Sequence, residues 1–260
     1  MEAREQGGDF IQSLERGLAA IRAFTDDKTA LSVTEVAERA NVSRAAARRI
    51  LFTLKSLGYV GVTENGLYRL EPTVLSLGYA YISSQELPEV ARPYMETVAK
   101  ELSGSSSLGV LRGTDVTFIA RVRAPGYRTT TFPVGTSVPA HLTAMGRVLL
   151  ADLTDDEIDA HLDRAHAEPF TELTLTSRAA LRKVIREARE TGYALVDQEL
   201  TAGVRALAVP IRMHSGQPAE AGLTIAIADP NATPSGLLET HLPILRRAAE
   251  SIGSALAWVR

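Results

Sequence analysis

The 260-residue sequence contains no cysteine. Disulfides, cysteine-ligated metals and iron–sulfur clusters are therefore excluded. No stretch is apolar for long enough to span a bilayer, and the start, "MEAREQGGDF", is acidic and polar, unlike a signal peptide. The cytoplasm is thus the expected location, with no membrane partner. Repeats of solenoid period and low-complexity tracts are absent. So are the G-x-S-x-G elbow, the P-loop, G-x-G-x-x-G and H-E-x-x-H. No cofactor is indicated. What remains is ordinary for a globular protein: 45% apolar residues, 23% charged and a net charge of −3. Such a chain is no general polycation, so any DNA binding must be a local property.

One segment has that property. In "NVSRAAARRILFTLKSLGYV", Asn41 to Val60, the residues Ala47, Ile50, Leu51, Leu54 and Leu57 recur at the spacing of one helix face. The opposite face carries Ala45, Arg48, Arg49 and Phe52, with Arg44 on the flank. Ser43 is placed to cap the start and Gly58 to end the helix in a left-handed turn. Upstream, "SVTEVAERANVS" reads as a shorter helix capped by Ser32, with Val33, Val36 and Ala37 on its inner side and a brief turn at Asn41-Val42. Downstream, "GYVGVTENGLYRLE" reads as a hairpin with its turn at Asn65-Gly66. Two helices, a short turn and a hairpin make a winged helix-turn-helix. Between Arg39 and Arg69 stand six basic residues and one acid, Glu64. Phosphates demand such charge, and a small residue such as Ala45 lets a helix sink into the major groove. The expected DNA contacts are Ser43, Arg44, Ala45, Arg48 and Arg49 from the basic helix. Ser32 and Thr34 should touch phosphate from the helix before it, and Arg69 should act from the wing.

Around this head, a first helix is expected over Phe10 to Phe24, striped by Ile11, Leu14, Leu18, Ile21 and Phe24. Another begins at Pro72 and links the head to a second domain. Pro88 and Pro93 punctuate the approach to "EVARPYMETVAKELSG", the first helix of that domain. Beyond Gly104 the period moves toward two. A hairpin is expected with Val116, Phe118, Ala120 and Val122 alternating on its second strand. Helices follow in "TAMGRVLLADL", in "TDDEIDAHLDRA" with a Thr154/Glu157 capping box, and in "TSRAALRKVIREARETG". Three strands and one long closing helix, "TPSGLLETHLPILRRAAESIGSALAWVR", complete the chain. The fold class is α+β: a winged helix-turn-helix domain over 1–71, a linker helix over 72–86, and a domain over 87–260 with helices packed on an antiparallel sheet.

The chain resembles the IclR family of transcriptional regulators over nearly its whole length. The resemblance is carried by "SLERGLAAIRAF", "VTEVAERANVSRAAARRILFTLKSLGYV", "LTAMGRVLLA" and "VDQELTAGVRALAVPI". "FIQSLERGLA" and "LGYAYISS" look like the subgroup that controls protocatechuate and 4-hydroxybenzoate catabolism through the β-ketoadipate route. The resemblance implies a homodimer or dimer of dimers that binds double-stranded operator DNA. It also implies a GAF/PAS-like C-terminal domain that binds and responds to a small organic acid, aromatic or dicarboxylic.

A pocket for such an acid needs apolar walls and a few polar groups. The junction "PAHLTAMGR" offers Thr143 as a helix cap, small residues Ala144 and Gly146, and the adaptable Met145. The resemblance places the pocket between this segment and "VDQEL" with "GVRALAVP", adding Asp197, Arg205, Ala206, Leu207 and His141. Arg205 either meets the carboxylate or pairs with Asp197 or Glu199 and braces the sheet.

Other chemistry finds less support. "SGSSSLG", Ser103 to Gly109, is serine-rich without a nucleophile pattern and reads as a strand entry. His161 and His166 lie near Asp163 and Glu168, but their spacing is not that of a helical metal pair, so exposed helix-end positions are expected. The competing functions are an enzyme acting on small molecules with an accessory nucleic-acid domain, and a DNA-binding module whose second domain only assembles subunits.

Overall fold

The computed structural model describes residues 10–25, 28–77, 86–127, 132–165 and 169–259. The chain forms two compact units that divide at residues 84–85.

In the first unit, helix α1 covers Gln12–Arg22, α2 Val33–Arg39 and α3 Arg44–Ser56. Strands β1 (Ala30–Leu31), β2 (Val60–Val62) and β3 (Tyr68–Leu70) form an antiparallel sheet in the order β1-β3-β2. The capping box at α2 is complete. Glu35 N–H donates to Ser32 Oγ, while Ser32 N–H donates to Glu35 Oε2. Ser43 caps α3 by accepting from Ala46 N–H. Ala47, Leu51 and Leu54 are buried against Ala20, Leu31, Val36 and Val60. Leu57 departs from the expected stripe and is 60% exposed. The helix stops at Ser56, and Gly58 turns the chain at φ +79° before Leu57 can face inward. The wing turns through Gly66 at φ +74°, a conformation glycine adopts without a Cβ clash. A 3-10 turn over Pro72–Leu75 comes next, and Ser76 and Leu77 continue it as helix. The rest of the expected linker helix, with Tyr79 and Tyr81, lies outside the described residues.

In the second unit, α4 (Glu86–Glu101) begins earlier than expected, with Pro88 in its first turn and Pro93 inside it. The six strands are β4 (Ser105–Arg112), β5 (Asp115–Arg123), β6 (Ser137–Pro139), β7 (Ala194–Asp197), β8 (Arg205–Ile211) and β9 (Ala221–Ile227). They pair antiparallel in the order β6-β5-β4-β9-β8-β7. Helix α5 covers Ala144–Leu150, α6 Asp155–Arg164 and α7 Arg178–Thr191. The expected single closing helix is two, α8 (Pro234–Thr240) and α9 (Leu242–Val259). Pro243 has no N–H to offer the preceding turn, which interrupts the ladder at His241.

Helices α4 and α9 cover one sheet face, burying Met95, Leu223, Ile225 and Ile252 among others. Helices α5, α6 and α7 cover the other, around Met145, Val148, Ile158 and Ile185. The alternation expected on β5 does not run through the strand. Leu108 pairs with Ala120 but Gly109 pairs with Phe118, so Ile119 is an extra residue, a β-bulge. Val116 and Phe118 therefore belong to the α5 side while Ile119 and Ala120 join the opposite core.

Candidate functional site

Two features of the described residues are candidates, one in each unit. The first is the outer face of α3. Arg44, Ala45, Arg48 and Arg49 are exposed, as is Thr34 on α2. No ion pair engages the three arginines among the described residues. This contrasts with Arg39, whose Nη1 donates to the Ala23 carbonyl at 2.9 Å and to Thr25 Oγ1 at 2.8 Å. Arg39 is thus a strut of the fold. Arg69 stands on the wing with its Nε 3.2 Å from Glu71 Oε1. Ser32 has its hydroxyl and amide both committed to the capping box, where Ser32 Oγ donates to Glu35 Oε2 at 2.8 Å. Ser43 is exposed at the start of α3.

The second is a cavity of about 80 Å³ between α5 and the sheet. Thr143, Ala144, Met145 and Ala206 line it. Met145 can lie there because the sheet beneath has glycine at two positions, Gly109 and Gly222. A Cβ on Gly109 would stand 2.8 Å from Met145 Sδ, and one on Gly222 would stand 2.5 Å from Met145 Cγ. The helix itself is pressed inward by Gly146, whose added Cβ would fall 2.0 Å from the Ala140 carbonyl oxygen. Gly146 is therefore a packing residue outside the cavity wall.

The remaining residues expected there lie elsewhere. Leu207 points to the opposite core, because strand alternation sends it away from Ala206. Arg205 Nε is 2.8 Å from Asp197 Oδ1, near enough for an ion pair although the N–H is not aimed at the oxygen. Both belong to the β7–β8 ladder, and of the two readings of Arg205 the bracing one matches this geometry. His141 is buried and does not line the cavity, its ring 6.0 Å from that of His161 and at 72° to it. His161 is itself buried, not exposed as expected, because it shares the inward face of α6 with Ile158 and Leu162. Burial, then His161 and Arg147, push His141 down to about 4. His161 is lowered as well, first by burial. His166 and Glu168 lie outside the described residues, and no metal-binding group of three or more ligands occurs among those described.

The cavity contains one charged residue that sequence reasoning did not select, Arg121. The bulge at Ile119 is what turns it inward beside Phe118, three residues away and not two. Periodicity alone could not reveal this. Phe118 and Phe132 stack with ring centroids 5.6 Å apart at 28°. The serine-rich entry to β4 also proves to face inward, since Ser105 and Ser107 alternate onto the cavity side. Leu200, Thr201 and Val204 close the far wall from the segment between β7 and β8.

Two family models match the chain. One, the IclR helix-turn-helix domain, covers residues 13–63; the other, described as bacterial transcriptional regulator IclR C-terminal, covers 79–254. The Pca regulon regulatory protein of Pseudomonas putida is 38% identical over 245 residues, spanning 94% of this chain and 84% of that protein. A transcriptional regulator from Rhodococcus sp. RHA1 superposes with a TM-score of 0.83 at 41% identity, covering 96% of this chain and all of that one. An IclR homologue from Microbacterium hydrocarbonoxydans, solved in complex with 4-hydroxybenzoate, gives a TM-score of 0.80 at 26% identity, covering 94% and 99% of the two chains. These relatives are regulators, and no helix among the described residues is long and apolar enough to cross a membrane. The chain belongs to the IclR family of bacterial transcriptional regulators.

Proposed function

We propose that this regulator reads operator DNA with α3 and that a small organic acid, held in the cavity under α5, controls that binding. The observation that carries the first half is the outer face of α3. Arg44, Arg48 and Arg49 are exposed and unpaired there, beside the small Ala45, on a helix whose other side is fixed in a core. Arg48 and Arg49 are placed to reach guanine edges or flanking phosphates. Thr34 and Ser43 reach phosphate. Arg69 can exchange Glu71 for phosphate at the wing. Ser32 contributes by fixing the angle of α2.

The second half is supported by the cavity's apolar walls with a few polar groups, and by the 4-hydroxybenzoate held by the Microbacterium homologue. The DNA partner makes the cytoplasm the working compartment. The working unit is a homodimer or a dimer of dimers. Leu14 (59% exposed) on α1, with Leu75 (73%) and Leu77 after the wing, supports this, since a small head leaves them uncovered. One head offers a small interface, and two linked heads multiply affinity.

The test is selection of DNA from a random pool by the purified full chain, with its mass measured by sedimentation. A two-fold symmetric site bound by a dimer or tetramer is expected. Recovery of no preferred sequence, or a monomer at micromolar concentration, would overturn the reading.

A further inference from the structure

We propose that Arg121 anchors the effector's carboxylate, and that the effector is a compact aromatic monocarboxylate and not a dicarboxylate. The proposal rests on the cavity being the effector site and names what that site takes. The guanidinium is only partly satisfied. Its Nε donates to Ser105 Oγ at 3.0 Å and its Nη1 to the Phe132 carbonyl at 3.0 Å, while Nη2 is buried with no hydrogen-bond partner. No carboxylate pairs with it among the described residues. The side chain is half-buried, and a cation drawn even partly out of water without a counter-ion is costly to keep. The contrast within the same unit is Arg147, which is fully buried and gripped at two points by Glu199. Two bonds to the walls hold the Arg121 fork still, so its free edge is preset for an incoming anion. Burial, then the neighbouring Arg123, lower the guanidinium to about 10, which leaves it charged at neutral pH.

The charge count then selects the ligand. Among the described wall residues Arg121 is the one cation, and none is an acid. The wall hydroxyls are partly spent: Thr143 accepts from Gly146 N–H and Thr224 donates to the Leu207 carbonyl. Opposite, Val196, Leu200 and Val204 are apolar. A second carboxylate would meet no cation there and only the Thr201 hydroxyl, whereas a ring finds Met145 and the Phe118–Phe132 pair. Size limits the ligand to a compact one. About 80 Å³ is roughly half of an apolar cavity of ~150 Å³ that holds benzene. One ring fits as flexible wall side chains such as Met145 give way.

Calorimetry on the full chain with benzoate, 4-hydroxybenzoate, benzamide and adipate tests this. At least one aromatic acid should bind, with benzamide and adipate weaker by about tenfold or more. Arg121→Met should weaken the aromatic acid by about tenfold or more and leave benzamide unchanged. Should Arg121→Met not fold, as judged by its melting transition, Arg121→Lys carries the test. It keeps a charge but loses the fork, so the acid should bind about threefold or more weaker while benzamide does not change. Aromatic-acid affinity equal to wild type in the folded variant overturns the anchor. Adipate binding as tightly as the aromatic acids overturns the ligand class and leaves the effector site standing. Failure of every acid to bind overturns the effector site itself, and this proposal with it.

Discussion

Arg147 and Glu199 meet as a buried two-point ion pair, Nη1 2.7 Å from Oε1 and Nη2 2.6 Å from Oε2, with side chains 1% and 9% exposed. The same guanidinium donates through Nε to the His141 carbonyl at 2.9 Å, and Glu199 Oε2 accepts from Leu175 N–H at 3.3 Å. The Thr174 hydroxyl holds the Glu199 carbonyl from the other side. The pair thus fastens α5 to the segment that brings Leu200, Thr201 and Val204 to the cavity. Removing one partner leaves a buried charge alone, so Glu199→Ala should cost about 3–5 kcal/mol in urea unfolding. Replacing both, as Arg147→Met with Glu199→Leu, should cost less than Glu199→Ala alone. A double variant worse than the single one would show that the pair's charge itself is needed.

The two buried histidines make stability depend on pH. Unfolded, each titrates near its ordinary value of about 6.5; folded, both are lowered, His141 to about 4. The unfolded chain therefore binds more protons below pH 6.5, and stability is full above that pH and declines as pH falls toward 4. His141 alone should account for a loss of roughly 2 kcal/mol between pH 7 and pH 5. His141→Gln should flatten the dependence of the melting temperature over that interval. An identical slope in the variant would remove His141 as the cause.

Gly222→Ala probes how Met145 shapes the cavity. The new methyl would stand 2.5 Å from Met145 Cγ and 3.2 Å from its carbonyl oxygen. The Met145 side chain must swing into the cavity or α5 must lift. Overpacking of this kind costs about 1–3 kcal/mol, and effector affinity should fall with it. Unchanged affinity with unchanged stability would mean that Met145 has room elsewhere.

On the DNA side, Arg48→Ala and Arg49→Ala should each weaken operator binding by about 1–3 kcal/mol. The two mechanisms separate by salt. Loss of a base contact relaxes preference at one base pair, while loss of a phosphate contact weakens all sequences alike and flattens the salt slope. Gel shifts at two salt concentrations distinguish them. No change for either variant would place the reading face elsewhere.

Local rules made the first unit legible. Caps at Ser32 and Ser43, the spacing of Ala47, Leu51 and Leu54, and the turn at Gly66 are each set by residues within a few positions of one another. The helix-versus-strand order of the second unit was also readable, down to the Thr154/Glu157 box. The cavity was not, for reasons of register. One extra residue at Ile119 moves Arg121 to the inner face, and no local signal in "TFIARVRA" marks it. Arg205 looked equally suited to a carboxylate, but its partner Asp197 stands directly across the β7–β8 ladder. Pairing between strands brought together at long range decides which arginine is left over, and composition does not carry that information. His161 shows the same limit: polar neighbours in sequence suggested the surface, while the helix face it shares with Ile158 put it inside.

Coupling between the two units is the central claim, and operator affinity with and without effector tests it most directly. A labelled operator recovered by selection is titrated with full chain and followed by anisotropy, with and without saturating 4-hydroxybenzoate. The expected result is a change in operator Kd of about fivefold or more, in either direction. Equal Kd values in the two titrations, with calorimetry showing the acid bound, would contradict effector control of DNA binding.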